Sequence, residues 1–275
     1  MSPREPFPQR IVCLTEETTE TLYLLGEDWR IVGISGFTVR PPRARKEKPR
    51  VSAFTSAKIE RILELEPDLV LGFSDLQAGI AADLARAGLE VHVFNHRSVA
   101  EIFRMIRTLG GMIGCEAKTA TLVEQLQGSL DAVRTRASEL SRRPRVYFEE
   151  WDEPQISGIR WVSELIALAG GDDCFAELAA HSLARERIVA DPLEVSRRAP
   201  DIILGSWCGK KFQPSEVVSR PGWADIPAVR TGFVREIKSA LILQPGPAAL
   251  TDGVRAIQAV IEEWNQMPRR SRISS

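Results

Sequence analysis

The stretch Glu64-Leu65-Glu66-Pro67-Asp68-Leu69-Val70-Leu71-Gly72-Phe73 decides the reading of this chain, because its pattern returns at Arg197-Arg198-Ala199-Pro200-Asp201-Ile202-Ile203-Leu204-Gly205-Ser206-Trp207. Each copy is a helical run stopped by Pro-Asp, since proline disfavours helix in the residue before it. Three consecutive aliphatic residues follow, which is the pattern of a strand buried on both faces of a parallel sheet. A glycine then lets the backbone turn or lets a neighbour approach closely. A second echo precedes each copy at nearly the same offset, Arg10-Ile11-Val12-Cys13-Leu14 and Arg145-Val146-Tyr147-Phe148-Glu149. Two signals repeated in the same order predict an α/β fold of two Rossmann-like lobes with parallel sheets.

The elements between the echoes fit that plan. Thr15 is placed to cap a helix from Glu16 that ends at Gly26. Strand Ile31–Gly36, helix Lys58–Glu66, strand Leu69–Leu71, helix Gly79–Ala87, strand Glu90–Phe94 and helix Val99–Leu109 follow. From Glu116 to Leu140 apolar residues recur at spacings of three and four without a proline, which predicts an amphipathic helix roughly 36 Å long. Such a helix between two echoes reads as a rigid connector. The predicted division is residues 9–114, connecting helix 115–142, second lobe 143–266 and a flexible tail 267–275. In the second lobe Glu149 to Gln155 reads as a polar segment after a strand, and Pro247 to Trp264 as a closing helix.

At 275 residues, 44% hydrophobic and 27% charged, the composition is that of a globular chain with a sizeable core. A net charge of -1 provides no global field to attract nucleic acid or anionic lipid. The run Arg40 to Arg50 is locally basic, as a solvated loop would be. Cys13, Cys115, Cys174 and Cys208 are far apart and lack metal-site spacing, so they read as reduced thiols or small core residues. His92 and His96 fall in strand and loop and do not share a helical face. With no apolar leader near Met1 and no transmembrane-length stretch, the expectation is a cytoplasmic protein, periplasmic if a signal has been removed.

Taken together, Thr18-Thr19-Glu20-Thr21-Leu22, Leu25-Gly26, Ile31-Val32-Gly33-Ile34-Ser35, Pro41-Pro42, Ile59-Glu60-Arg61-Ile62, Pro67-Asp68-Leu69-Val70, Ser157-Gly158, Ala169-Gly170-Gly171, Pro200-Asp201-Ile202-Ile203 and Pro245-Gly246-Pro247 resemble the class III periplasmic substrate-binding proteins. That family includes cobalamin, haem and ferric-siderophore binders, and the cobalamin-binding members are the most similar. The resemblance implies two lobes joined by one long helix, with a ligand cleft between them. It implies cobalamin or another corrinoid as ligand, no required cofactor and an ABC permease as partner.

By position, the resemblance places first-lobe ligand contacts on Phe37, Phe54 and Phe73, where the relatives usually carry Tyr or Trp. Flat rings suit a planar macrocycle because they bury a large area with few rotatable bonds. It puts a permease-docking carboxylate at Glu60 and an approximate counterpart at Glu194. Beyond the resemblance, Glu149, Glu150 and Trp151 follow a strand end, where open α/β sheets bind ligands. Arg160 and Trp161 offer a cation and an indole, and Trp207, Cys208 and Lys210 follow the second-copy strand. A thiol beside two ammonium groups also raises an enzymatic alternative, Cys208 acting with Glu149 or Glu150 on a small molecule.

Overall fold

The structure, a computed structural model, describes residues 6–268; residues 269–275 of the expected tail lie outside the described residues. The chain divides into two compact units. The first runs to His96 and adds Ala100–Leu126 and Gln244–Pro247; the second comprises Arg97–Val99, Gln127–Leu243 and the chain from Ala248 onward. The division falls inside an unbroken 23-residue helix, Glu116–Ser138. No helix among the described residues is long and apolar enough to cross a membrane.

The first unit holds a sheet of β1 (Ile11–Cys13), β2 (Ile31–Ser35), β3 (Arg50–Ser52), β4 (Leu69–Phe73) and β5 (Val91–Phe94) in the order β3-β2-β1-β4-β5. All its pairings are parallel, with Val12 opposite Val70 and Val70 opposite Val91. The chain builds outward from β1 to β3, then returns to the other side of β1 as β4. That reversal makes the ends of β1 and β4 the switch point of the sheet. Val12, Leu14, Val51, Ile62, Val70 and Leu84 pack as one core cluster.

The second sheet contains β6 (Arg145–Asp152), β7 (Gln155–Ser157), β8 (Asp172–Asp173), β9 (Ile202–Gly205) and β10 (Val234–Glu236). Its path is β10-β9-β6-β7, with β8 beside the start of β6. This sheet is mixed, which corrects the expectation of two parallel sheets: β7 runs antiparallel to β6. The segment from Glu149 to Gln155, read as a mostly polar segment after a strand, is the second half of β6, the hairpin turn and the first residue of β7. Its half-exposed charged and aromatic residues hid the strand, because the solvent face of an antiparallel pair does not need to be apolar.

The two Pro-Asp copies do the same structural work. Leu69, Val70 and Leu71, like Ile202, Ile203 and Leu204, are at most 1% exposed, as fully buried central strands must be. Asp68 accepts the backbone N–H groups of Gln9 (2.7 Å) and Arg10 (2.8 Å). Asp201 accepts that of Arg145 (2.9 Å). Each aspartate therefore ties the start of the neighbouring strand to its own. The residue before each proline, Glu66 (φ 45°) and Ala199 (φ 44°), is left-handed; this conformation ends the helix while avoiding the right-handed region that proline penalises.

The glycines of the copies permit close approach. A Cβ on Gly205 would stand 1.8 Å from the Phe212 ring, and one on Gly72 would stand 2.9 Å from Gln77 Oε1.

Candidate functional site

In the first unit the C-terminal ends of all five strands open on one rim. Phe37 follows β2 and is 53% exposed, Phe54 follows β3 and is half-buried, and Leu76 after β4 is 61% exposed. Phe73 closes β4 and is nearly buried, edge-on to His96 with ring centroids 5.0 Å apart. His96 Nε2 lies 2.7 Å from the carbonyl of Pro245. Ser74, the next residue, holds φ 67° and ψ 165°, a region populated almost only by glycine. Its hydroxyl accepts the Leu76 N–H at 3.3 Å, offsetting part of that strain.

Gln77 organises this rim, and the sequence provided no signal for it. Its Nε2 donates to the Phe54 carbonyl (2.8 Å), and its Oε1 accepts the Phe73 N–H (2.9 Å). It is fully buried. One amide thus fixes the loop carrying Phe54 against the strand end carrying Phe73. A glutamine in a short helical turn has no pattern that announces such a role.

The switch point also holds buried acid. Glu16 and Glu17 open the helix Glu16–Leu24 and are 7% and 1% exposed. Thr15 does not cap the helix with its side chain; its hydroxyl donates instead to Glu17 Oε1 at 2.6 Å. The other Glu17 oxygen is buried without a partner. Burial pushes the Glu17 carboxyl up to about 8, the Thr15 hydrogen bond opposing this and the Glu16 charge adding to it. Burial raises Glu16 too. A carboxyl shifted this far holds its proton at neutral pH.

In the second unit, Glu149 sits inside β6, between Gly205 of β9 and Ser157 of β7, and is fully buried. Arg220 grips it in a two-pronged ion pair of 2.5 and 2.9 Å. Trp207 Nε1 donates to it at 3.0 Å and the Tyr147 hydroxyl at 3.1 Å. Burial and the neighbouring Glu149 charge hold the Tyr147 phenol well above its ordinary value. Glu150 pairs with the buried Arg187 at 2.7 and 3.1 Å. The two carboxylates considered as partners for Cys208 are therefore each held by an arginine, while Cys208 itself is exposed.

The other sequence-derived residues divide between framework and surface. Trp161 is buried, with its Nε1 donating to the Ile242 carbonyl at 2.8 Å, and Trp207 is buried against Phe212. Arg160 is exposed and pairs with Glu164 at 2.9 Å. Trp151 is half-buried, and Lys210 ion-pairs with Asp152 beneath two rings, 4.7 Å from Trp207 and 5.9 Å from Trp151. Glu60 is exposed in the first turn of helix Ile59–Glu64, whereas Glu194 is engaged by Arg197 (2.9 Å) and Arg198 (3.0 Å). Among the described residues no group of three or more His, Cys, Asp or Glu side chains is arranged to hold a metal ion.

The chain is 25% identical over 267 residues to the uncharacterized ABC transporter substrate-binding lipoprotein YvrC of Bacillus subtilis, covering 91% of this chain and 79% of that one. It is 24% identical over 272 residues to the vitamin B12-binding protein of Vibrio parahaemolyticus, covering 95% and 91%. Among solved structures, the periplasmic heme-binding protein RhuT of Roseiflexus superposes with a TM-score of 0.76 at 25% identity, covering 92% and 99%. The sequence model of the periplasmic binding protein family matches residues 11–241. With two lobes, one sheet parallel and the other mixed, the chain belongs to the class III periplasmic binding proteins, the substrate-binding family that includes cobalamin and heme binders.

Proposed function

We propose that the protein holds a bulky metal-chelate ligand, cobalamin or another corrinoid, without converting it and without a cofactor of its own. The observation that carries this reading is the aromatic rim of the first unit. Phe37 stands more than half exposed and Phe54 half-buried where an open α/β sheet binds its ligands. Large rings left in water at such a place are suited to the flat face of a macrocycle. The similarity to a vitamin B12-binding protein favours a corrinoid. In this reading Phe73 supplies a further contact on the same rim. In the second unit Glu149, Glu150, Trp161 and Trp207 serve as framework. Docking to an ABC permease through Glu60 belongs to the same proposal.

The test is calorimetric titration of the purified protein with cyanocobalamin, with hemin and a ferric siderophore as comparators. The expected result is saturable one-to-one binding of cobalamin. Phe37→Ala should weaken it about tenfold, the loss of roughly 1.4 kcal/mol that one stacked ring provides. Tight binding of hemin or the siderophore with none of cobalamin would overturn the corrinoid assignment. Unchanged affinity in both Phe37→Ala and Phe54→Ala would move the site off this rim.

A further inference from the structure

The basic run Arg40 to Arg50 has no part in the ligand contacts above, and the structure gives it a setting. It folds into a short helix, Ala44–Glu47, and edge strand β3. Beside β3 lies a groove of about 630 Å³ within the first unit, lined by Arg50, Ser52, Ser56, Lys58 and Arg61 with the backbone at Gly36. The three cations are exposed. No carboxylate lines the groove, and among the described residues none of the three is in an ion pair. Glu60 and Glu64 share a helix with Arg61 but do not line the groove. The Ser52 hydroxyl oxygen is buried without a hydrogen-bond partner.

We propose that this groove is a second binding site, one that takes a phosphate-bearing small molecule. Three uncompensated cations around one concavity repel each other, and a dianion among them relieves that repulsion. A phosphate group presents acceptor oxygens on every side. Two guanidinium forks, one ammonium and the Ser56 hydroxyl form a matching set of donors. The volume is that of a small-molecule site and leaves room for an organic group beyond the phosphate. Arg45 and Lys46, exposed on the adjoining helix, add to the positive potential that would draw an anion in. The proposal does not depend on the identity of the ligand at the aromatic rim.

The experiment is calorimetric titration of the full chain with inorganic pyrophosphate and with adenosine monophosphate at low salt, using citrate as a polycarboxylate control. Saturable binding of both phosphates is expected, weakening as salt is raised. Arg50→Ala, Lys58→Ala and Arg61→Ala should each weaken it about three- to fivefold, and the triple variant should abolish it. These side chains are exposed, so circular dichroism and an unchanged urea midpoint should report an intact fold. Retained cobalamin binding in the triple variant would separate this groove from the rim. No saturable binding of either phosphate, equal binding by the triple variant, or tighter binding of citrate would each overturn the proposal.

Discussion

Arg220 closes on Glu149 through two hydrogen bonds, 2.5 and 2.9 Å, around a carboxylate with no exposed surface. Trp207 and Tyr147 occupy the same two oxygens, so this acid within β6 is the centre of a fully satisfied network. Such networks are strongly asymmetric in their energetics, because removing one partner leaves the other charge buried and uncompensated. Arg220→Met should therefore lower stability by about 3–5 kcal/mol. The double variant Arg220→Met with Glu149→Gln, which removes the charge but keeps an amide for Trp207 and Tyr147 to bond, should recover much of that loss. Urea unfolding of the three proteins checks this; a double variant no better than Arg220→Met would mean the charge pair is not the source of the cost.

Glu17 predicts an unusual pH profile. Its carboxyl is raised from 4.5 to about 8, chiefly by burial. Between those values the unfolded chain has released the proton and the folded chain keeps it. The folded state then binds more protons, so stability is full below about pH 4.5 and falls as pH rises towards 8. The slope attributable to this group is up to about 1.4 kcal/mol per pH unit. Glu17→Gln, which never ionises, should flatten the profile in that window. At pH 8 it should be more stable than the parent by on the order of a few kcal/mol. Glu16, shifted in the same direction, leaves a residual slope. Urea midpoints measured from pH 4.5 to 8.5 test this, and parallel profiles for parent and variant would refute it.

How far the fold and site were legible depends on what kind of signal each residue sends. Burial on both faces writes itself into consecutive aliphatic residues, so β4 and β9 could be read directly, and with them the repeated α/β plan. The hairpin of β6 and β7 could not, because the last part of β6 is half-exposed and accommodates Glu150, Trp151 and Asp152. At the site, Phe37 and Phe54 entered as candidates only by their position in the family resemblance; that Phe37 is more than half exposed and Phe54 half-buried beyond strand ends is visible only in the structure. Trp161 and Trp207 carry the same chemical label yet pack inside, and only their surroundings reveal it. Glu149 looked available because its partner Arg220 lies 71 residues away in a segment with no pattern linking the two. Gln77 was missed for the same reason: side-chain hydrogen bonds to distant backbone leave no periodicity.

Ala199 provides a test of the repeated Pro-Asp architecture itself. It is left-handed at φ 44°, and an alanine there meets its own carbonyl in a way that costs about 1–2 kcal/mol. Glycine would remove that strain, at the expense of a more flexible unfolded chain worth about 0.4–1 kcal/mol. The first term is the larger, so Ala199→Gly should raise stability by about 0.5–1 kcal/mol. Ala199→Val should lower it by more than 1 kcal/mol, roughly, because a β-branched side chain is least tolerated in that region. The equivalent position in the other copy, Glu66 at φ 45°, should respond to glycine in the same direction. Urea midpoints for Ala199→Gly and Glu66→Gly decide the matter. Stabilisation in both is the expected outcome; destabilisation in both would mean that the residue before each proline is not under left-handed strain in solution.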